Sequence, residues 1–165
     1  VDAIGFAHNK KIPIKGYDGI LHLDIKPSNI FILPDGNVKV IDYGISQGND
    51  EDRGDKVMGS LMFMAPEQLD TSIDLDNRTD IYSLGILLHI MVTGQNPYKF
   101  KKDSTIEDLV YKIHNVEPIR IQELYPGADN RFQFIIDKAT QKDPFSRFQS
   151  CSELIEIVDS LMKTK

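Results

Sequence analysis

The chain has 165 residues and a formal net charge of −6, with 41% hydrophobic and 27% charged residues. These values are typical of one globular domain with a hydrophobic core. The negative charge argues against nucleic acid or an anionic membrane as a partner. A single cysteine, Cys151, excludes an intrachain disulfide and favours a reducing, cytoplasmic compartment. The longest apolar run, residues 86–92, is too short to span a bilayer, and the first residues show no signal-peptide pattern.

The first third of the chain predicts the end of a helix followed by a β-hairpin. Residues 1–8, VDAIGFAH, are typical of an amphipathic helix, and a polar connection follows over residues 9–19. Two β-type runs, IFIL and VKVI, flank the sequence PDGN at 34–37. Glycine and asparagine accept the positive φ that tight hairpin turns require, so PDGN predicts the turn. Residues 46–58 are polar and without periodicity, which predicts a loop.

The second half of the chain predicts helices around one buried helix. Residues 80–92 are apolar on nearly every face, which is typical of a helix buried all round at the centre of a fold. In the next helix, over 104–115, Ser104 and Glu107 have the spacing of a capping box at the helix start.

Two further amphipathic helices are predicted near the end of the chain. One covers residues 130–140, and the other opens with Ser150 and Glu153 at capping-box spacing. One face of this last helix is predicted to carry Leu154, Ile155, Val158, Leu161 and Met162. The predicted fold class is α+β and mostly α, with a small hairpin and four to five helices around a buried central helix.

One polar segment, HLDIKPSN at 22–29, brings together Asp24, Lys26 and Asn29. A fourth polar residue, Asp42, directly follows the second β-type run. Phosphoryl transfer needs a carboxylate to accept the hydroxyl proton, oxygen ligands for Mg²⁺ and a cation beside the moving phosphoryl group. Any one of these residues alone would be read as a solvated loop residue, but all four in this order predict a phosphoryl-transfer site.

These segments resemble the motifs of the eukaryotic-type protein kinase family, of the serine/threonine type, and specifically of its C-terminal lobe. The resemblance covers essentially the whole chain, 1–165. The motifs occur in the family's order: HLDIKPSN at 22–29, DYG at 42–44, GSLMFMAPE at 59–67, DIYSLG at 80–85 and DPFSRF at 143–148. The residues from 42 to 67 correspond to the family's activation segment.

The resemblance implies a mechanism and two cofactors, ATP and Mg²⁺. Asp24 would be the catalytic base and Lys26 the phosphate-neutralising cation. Asn29 and Asp42 would be the metal ligands. The residues expected to contact the nucleotide and its metal are Lys26, Ser28, Asn29, Phe31 and Asp42, with Phe31 under the adenine base.

The resemblance also implies supporting roles beside the catalytic loop. His22 is expected to support this loop through hydrogen bonds. Tyr43 stands where the family usually has phenylalanine, and Gly44 completes that triplet. Ser60 lies where the family often has a threonine that bonds to the catalytic aspartate and lysine.

Three more residues are expected to hold the lobe together. The resemblance implies that Asp80 binds the backbone of the catalytic loop and that Arg147 pairs with Glu67. The lysine two positions after the catalytic aspartate, Lys26, is the feature that indicates the serine/threonine type.

The sequence departs from the family at the residue that usually senses phosphorylation. Leu23 replaces an arginine that reads a phosphate on the activation segment. Between Asp42 and Glu67, the only hydroxyl residues apart from Tyr43 are Ser46 and Ser60. We therefore expect that phosphorylation of this segment does not switch the protein.

The 165-residue sequence contains no glycine-rich loop and no strand lysine of the kind that the family carries in its N-terminal lobe. Because ATP binds between the two lobes, this chain alone is expected to be inactive. Its expected partners are a protein substrate, ATP and the missing N-terminal lobe. The apolar surface that the missing parts would cover predicts self-association of the truncated lobe.

Two other functions remain open at this point. The first is a pseudokinase or scaffold-type binding module, which the replacements at Leu23 and Tyr43 keep open. The second is a small-molecule kinase of the aminoglycoside or choline type, which Lys26, the APE sequence and Asp80 disfavour. Cys151 is expected to be a small buried residue. His8 is expected to be an ordinary helix residue, because the histidines lack metal-ligand spacing.

Overall fold

The computed structural model describes residues 1–10, 19–43, 59–70, 72–99 and 104–163. This part of the chain is mostly helical, with one two-stranded antiparallel sheet, which confirms the predicted fold class. The predicted connection over 9–19 lies largely outside the described residues. The α-helices are α1 (Asp2–His8), α2 (Asn77–Thr93), α3 (Ile106–Asn115), α4 (Ile121–Leu124), α5 (Asn130–Ala139) and α6 (Cys151–Lys163). The strands are β1 (Ile30–Ile32) and β2 (Val38–Val40), and 3₁₀ helices span Pro27–Asn29, Pro66–Leu69 and Pro144–Ser146.

The predicted hairpin is confirmed. Strand β1 pairs with β2 in a register that sets Phe31 opposite Lys39. Gly36 in the turn has φ of 83°, the left-handed conformation for which glycine carries no steric penalty. Beyond the strands, the Ile41 N–H donates to the Asn29 carbonyl at 3.0 Å. The hairpin therefore brings the residues that precede β1 close to those that follow β2.

Helix α2 forms the centre of the fold, as predicted. The Asp76 side chain accepts from the Arg78 N–H at 2.9 Å and caps its first turn, while Gly94 ends it with φ of 69°. Its buried side chains include Ile81, Tyr82, Ser83, Ile86 and His89. The burial is incomplete on one side, since Met91 is 73% exposed beside the hairpin.

Helices α2 and α5 approach closely at Gly85. A Cβ atom at this position would lie 2.8 Å from the Ala139 Cβ and 2.8 Å from the Thr140 Cγ2. Both distances are well inside van der Waals contact. The glycine therefore permits the close packing, although glycine within a helix costs roughly 0.5–1 kcal/mol relative to alanine.

The predicted start of α3 is wrong by one residue. Thr105 is the N-cap: its Oγ1 accepts from the Asp108 N–H at 3.2 Å, and the Asp108 carboxylate accepts from the Thr105 N–H at 3.0 Å. The capping-box spacing occurs twice in STIED, as Ser104 with Glu107 and as Thr105 with Asp108. Only the path of the backbone selects between the two.

The predicted cap of α6 is present, but one predicted core residue of this helix is wrong. The Ser150 hydroxyl accepts from the Glu153 N–H at 3.1 Å. Ile157, rather than Ile155, packs against the core together with Leu154. At 100° per residue, position 157 is about 60° from position 154 around the helix and position 155 about 100° from it. The core-facing stripe is therefore rotated around the helix, toward Ile157 and away from Ile155.

A buried ion pair joins the segment before α2 to the segment before α6. Arg147 and Glu67 are 0% and 3% exposed, and the guanidinium donates to both carboxylate oxygens at 2.6 and 2.8 Å. Its remaining N–H groups donate to the carbonyls of Gln141, Arg78 and Lys142. All five donors of the guanidinium are therefore satisfied inside the protein.

Replacing Arg147 with alanine should lower the free energy of unfolding by about 3–5 kcal/mol, because Glu67 would remain as an unpaired buried charge. Urea denaturation would measure this change. Lys163 provides the control, since its pair with Asp159 is exposed and has an N–O distance of 3.7 Å. Lys163→Ala should cost less than about 1 kcal/mol. Equal losses in the two variants would contradict a stabilising role for the buried pair.

Candidate active site

The segment 22–29 is fixed by one buried carboxylate from α2. Asp80 is fully buried, and its two oxygens accept from the backbone N–H groups of His22 and Leu23, each at 2.7 Å. Leu23 has φ of 63°, a left-handed conformation that costs roughly 1–2 kcal/mol in an L-residue. The two charge-assisted bonds from Asp80 stabilise this strained turn.

His8, from α1, supplies the positive charge that the buried Asp80 carboxylate needs. The His8 Nε2 lies 2.7 Å from Asp80 Oδ2, and its Nδ1 lies 3.7 Å from the Cys151 Sγ. Burial alone disfavours the imidazolium, but the hydrogen bond to Asp80 and the charge of that carboxylate raise the pKa of His8 to about 9. His8 is therefore charged at neutral pH and is not the ordinary helix residue expected from the sequence. Cys151 is buried, as predicted.

Replacing His8 with glutamine should remove the loss of stability that this residue causes as the pH rises from 6.5 to 9. The pKa of His8 rises from its ordinary value of 6.5 to about 9 on folding. The folded chain thus binds more protons between these two values, and the stabilisation is complete below pH 6.5. It is lost as the pH rises through 9, at a cost of about 3 kcal/mol. Chemical denaturation of both proteins at successive pH values would measure the difference.

Comparing the two proteins separates the titration of His8 from that of a second partly buried group, Lys142. Burial lowers the pKa of Lys142 to about 8, so this residue makes stability rise with pH above that value. It contributes equally to the wild type and to His8→Gln, and the difference between them therefore isolates His8. A His8→Gln protein with an unchanged slope would contradict the assigned ion pair.

The structure brings together the polar residues that the sequence singles out in 22–29. The Lys26 Nζ lies 2.8 Å from Asp24 Oδ2 and donates to the Ser60 Oγ at 2.8 Å. The Asn29 Nδ2 donates to Asp24 Oδ2 and to the Asp24 carbonyl, each at 2.9 Å. Ser60 therefore reaches Asp24 through Lys26. The Asp24 carboxylate is held between a cation and an amide.

His22 links this segment to the end of the hairpin. Its Nε2 donates to the Ile41 carbonyl at 3.0 Å, and its Nδ1 accepts from the Asp24 N–H at 3.3 Å. Its ring packs against Tyr43, with 4.6 Å between the ring centroids. Burial and the negative charge of Asp80 raise the pKa of Tyr43, so the phenol stays neutral. One imidazole thus fixes the relative positions of Asp24 and the residues after β2.

The remaining predicted site residues, Ser28, Phe31 and Asp42, lie on the hairpin or directly beside it, and we call this part of the site the hairpin edge. Asp42, exposed at the end of β2, has φ of 57°. It follows Ile41, whose N–H bonds to the Asn29 carbonyl. Phe31 is 50% exposed on β1, and the Ser28 hydroxyl lies 3.5 Å from the Asn29 Oδ1.

The oxygen donors at this edge suit a hard divalent cation. The Asn29 Nδ2 is occupied by Asp24, which leaves the amide oxygen Oδ1 as its acceptor group. Amide and carboxylate oxygens, with additional ligands from phosphates and water, are the usual set for Mg²⁺. Within the described residues, no group of three or more His, Cys, Asp or Glu side chains could hold a metal alone. A metal at Asn29 and Asp42 would therefore need ligands from a bound phosphate or from water.

Gly44 and Ser46 lie outside the described residues. The expectation that phosphorylation does not switch the activation segment therefore stays a prediction. Across the described ranges, no helix combines the length and apolar character needed to cross a membrane.

Comparison with known proteins agrees with this geometry. The protein kinase domain family matches residues 1–159. A probable serine/threonine-protein kinase of Clostridium perfringens is 37% identical over 98% of the chain, and a second from Clostridium acetobutylicum is 35% identical over 93%. The serine/threonine-protein kinase PknB of Mycobacterium tuberculosis is 32% identical over 92%. The chain belongs to the protein kinase family. It spans less than a quarter of each of these relatives, at 22–23% of their length.

Proposed function

We propose that this chain is the C-terminal catalytic lobe of a serine/threonine protein kinase, which transfers the γ-phosphoryl group of ATP to a protein hydroxyl. The observation that carries the proposal is the Asp24 carboxylate, held by Lys26 and Asn29 at 2.8 and 2.9 Å in a loop anchored by Asp80. The names of the relatives support the same reaction.

Asp24 acts as the base in the proposed mechanism. The contacts that its carboxylate makes with the other described residues fall on Oδ2, from Lys26 and Asn29. We assign Oδ1 to the incoming hydroxyl. Its proton passes to Oδ1 as the substrate oxygen bonds to the γ-phosphorus and the bond to the ADP oxygen breaks. The hydrogen bond from Asn29 keeps the carboxylate oriented toward the substrate.

Lys26 neutralises the charge on the transferring phosphoryl group. Its ammonium lies 2.8 Å from both Asp24 Oδ2 and Ser60 Oγ, so two contacts fix the position of a flexible side chain. A positioned cation stabilises developing negative charge without reorganisation during the reaction. Ser60 thus acts as a positioning residue for Lys26.

The nucleotide and Mg²⁺ are assigned to the hairpin edge. Phe31 offers an apolar surface to the adenine base, and Ser28 lies beside the metal ligand Asn29. Asn29 and Asp42 offer oxygen ligands to Mg²⁺, which would offset phosphate charge when bound. We propose a reducing compartment such as the cytoplasm as the site of action, in line with the single buried cysteine.

Asp24→Asn should abolish phosphotransfer in the longest natural protein that contains this chain. The amide cannot accept the hydroxyl proton, and the loss of a general base lowers the rate by about 10²–10⁴-fold. Transfer from labelled ATP with Mg²⁺ to a generic protein substrate would measure the loss. Asp35→Asn, in the exposed hairpin turn, is the matched control and should keep full activity.

The same assay tests the competing function. The chain alone should show no phosphotransfer, because ATP binds between two lobes and this chain supplies only one of them. If the longer protein is folded and equally silent, the catalytic residues are relics and the pseudokinase or scaffold function replaces the proposal. The match to the protein kinase domain family argues against a small-molecule kinase.

The isolated chain should also self-associate through an apolar groove. The groove has a volume of about 510 Å³ and lies between the hairpin and helices α1, α2, α5 and α6. Ile32, Val38 and Met91 line it and are exposed. We propose that the missing N-terminal part of the parent protein covers this surface, and that a second copy covers it in the isolated chain.

The double variant Ile32→Lys/Met91→Lys should shift the isolated chain toward the monomer. Charged side chains in the groove oppose burial against a second apolar surface. Size-exclusion chromatography with light scattering, over a range of concentrations, would measure the shift. Tyr111→Lys, at an exposed apolar position on α3 outside the groove, should leave the association unchanged. A monomeric wild-type chain at high concentration would contradict self-association.

A further inference from the structure

We propose that Gln68 is a positioning residue for the catalytic base. Its side chain would hold the peptide unit between Leu23 and Asp24 from a position directly after the activation segment. This inference rests on the proposed function of Asp24. It concerns a contact made to the backbone beside the base, and Gln68 does not touch the substrate or the reacting atoms.

The geometry shows both halves of the Gln68 amide in use. The Nε2 donates to the Leu23 carbonyl at 2.9 Å, and the Oε1 accepts from the Ala65 N–H at 3.0 Å. Gln68 lies in the 3₁₀ helix Pro66–Leu69 and directly follows Glu67, which Arg147 holds in place. A rigid segment therefore carries the donor that reaches the catalytic loop.

The contact completes the fixing of the loop backbone. Asp80 binds the N–H groups of His22 and Leu23 but does not bind the Leu23–Asp24 peptide unit. The N–H of that unit donates to the His22 Nδ1 at a long 3.3 Å. Within the described part of the chain, the Leu23 carbonyl accepts its hydrogen bond from Gln68. With its carbonyl held by Gln68 and its N–H by His22, this peptide unit fixes the backbone from which the Asp24 side chain extends.

Local capping accounts for only half of the Gln68 contacts. The cap of the 3₁₀ helix needs only Oε1, as the acceptor for Ala65, whereas Nε2 reaches a residue 45 positions earlier in the sequence. The aliphatic Leu23 side chain cannot bind a phosphate. The structure therefore links the 3₁₀ helix at the end of the activation segment, through Gln68, to the backbone beside the base by a contact that needs no phosphorylation.

Two variants distinguish the contact that the Gln68 Nε2 makes with Leu23 from the contact that its Oε1 makes with Ala65. Gln68→Met removes both contacts at similar volume. Gln68→Glu keeps an acceptor for Ala65 but cannot donate to Leu23 while ionised, so it preserves the cap and carries the test if the methionine variant does not fold. Thr105→Ala is the matched control, because it removes a capping bond from α3 without touching the catalytic loop.

The variants would be made in the longest natural protein that contains this chain. Both Gln68 variants should lower kcat about tenfold while KM for ATP and for the protein substrate stays within about twofold. Amide hydrogen exchange should accelerate in the peptide that contains Asp24. Thr105→Ala should change neither quantity. The inference is overturned if folded Gln68 variants keep kcat within about twofold of wild type, or if Thr105→Ala causes the same loss.

The two measurements also separate this inference from the proposed function. If the folded wild-type protein transfers no phosphoryl group, the proposed function fails. The proposed role of Gln68 is then tested by hydrogen exchange, without the kinetic measurement. Faster exchange at Asp24 in both variants supports the backbone contact, and unchanged exchange overturns it.

Discussion

The buried carboxylate of Asp80 is the group on which the candidate active site depends. An isolated buried carboxylate is strongly unfavourable, and here it is compensated by the His8 imidazolium and by two backbone N–H groups. Those two N–H groups belong to the loop that carries Asp24. The central helix thus satisfies its own buried charge by holding the loop in a conformation that it would not otherwise favour.

A second buried charge organises the other side of the loop. Glu67 is held by Arg147, whose remaining donors bind backbone carbonyls. This arrangement fixes the short helix that presents Gln68 to the Leu23 carbonyl. The loop therefore lies between two networks, one centred on Asp80 and one on Arg147, and each satisfies buried polar groups that would destabilise the fold if left unpaired.

Local structure was predictable wherever the residues of a single short segment determine it. The turn at 34–37 needs residues that accept positive φ, and PDGN supplies them. The buried helix was predictable because its apolar residues cover nearly every face of the helix. Prediction was wrong where the sequence offers two equivalent choices, as with the two overlapping caps in STIED, or where helical position decides between neighbours, as with Ile155 and Ile157.

The sequence by itself determined the chemical groups of the site, because Asp24, Lys26 and Asn29 lie within six residues and their spacing brings them together on one turn of the loop. The family resemblance also implied that Asp80 binds the loop backbone, but only the tertiary structure showed which residues hold Asp80 and the Leu23 carbonyl. His8 meets Asp80 across 72 positions, and Gln68 meets Leu23 across 45. Such contacts follow from the packing of helices and loops, and no periodicity or spacing along the chain encodes them.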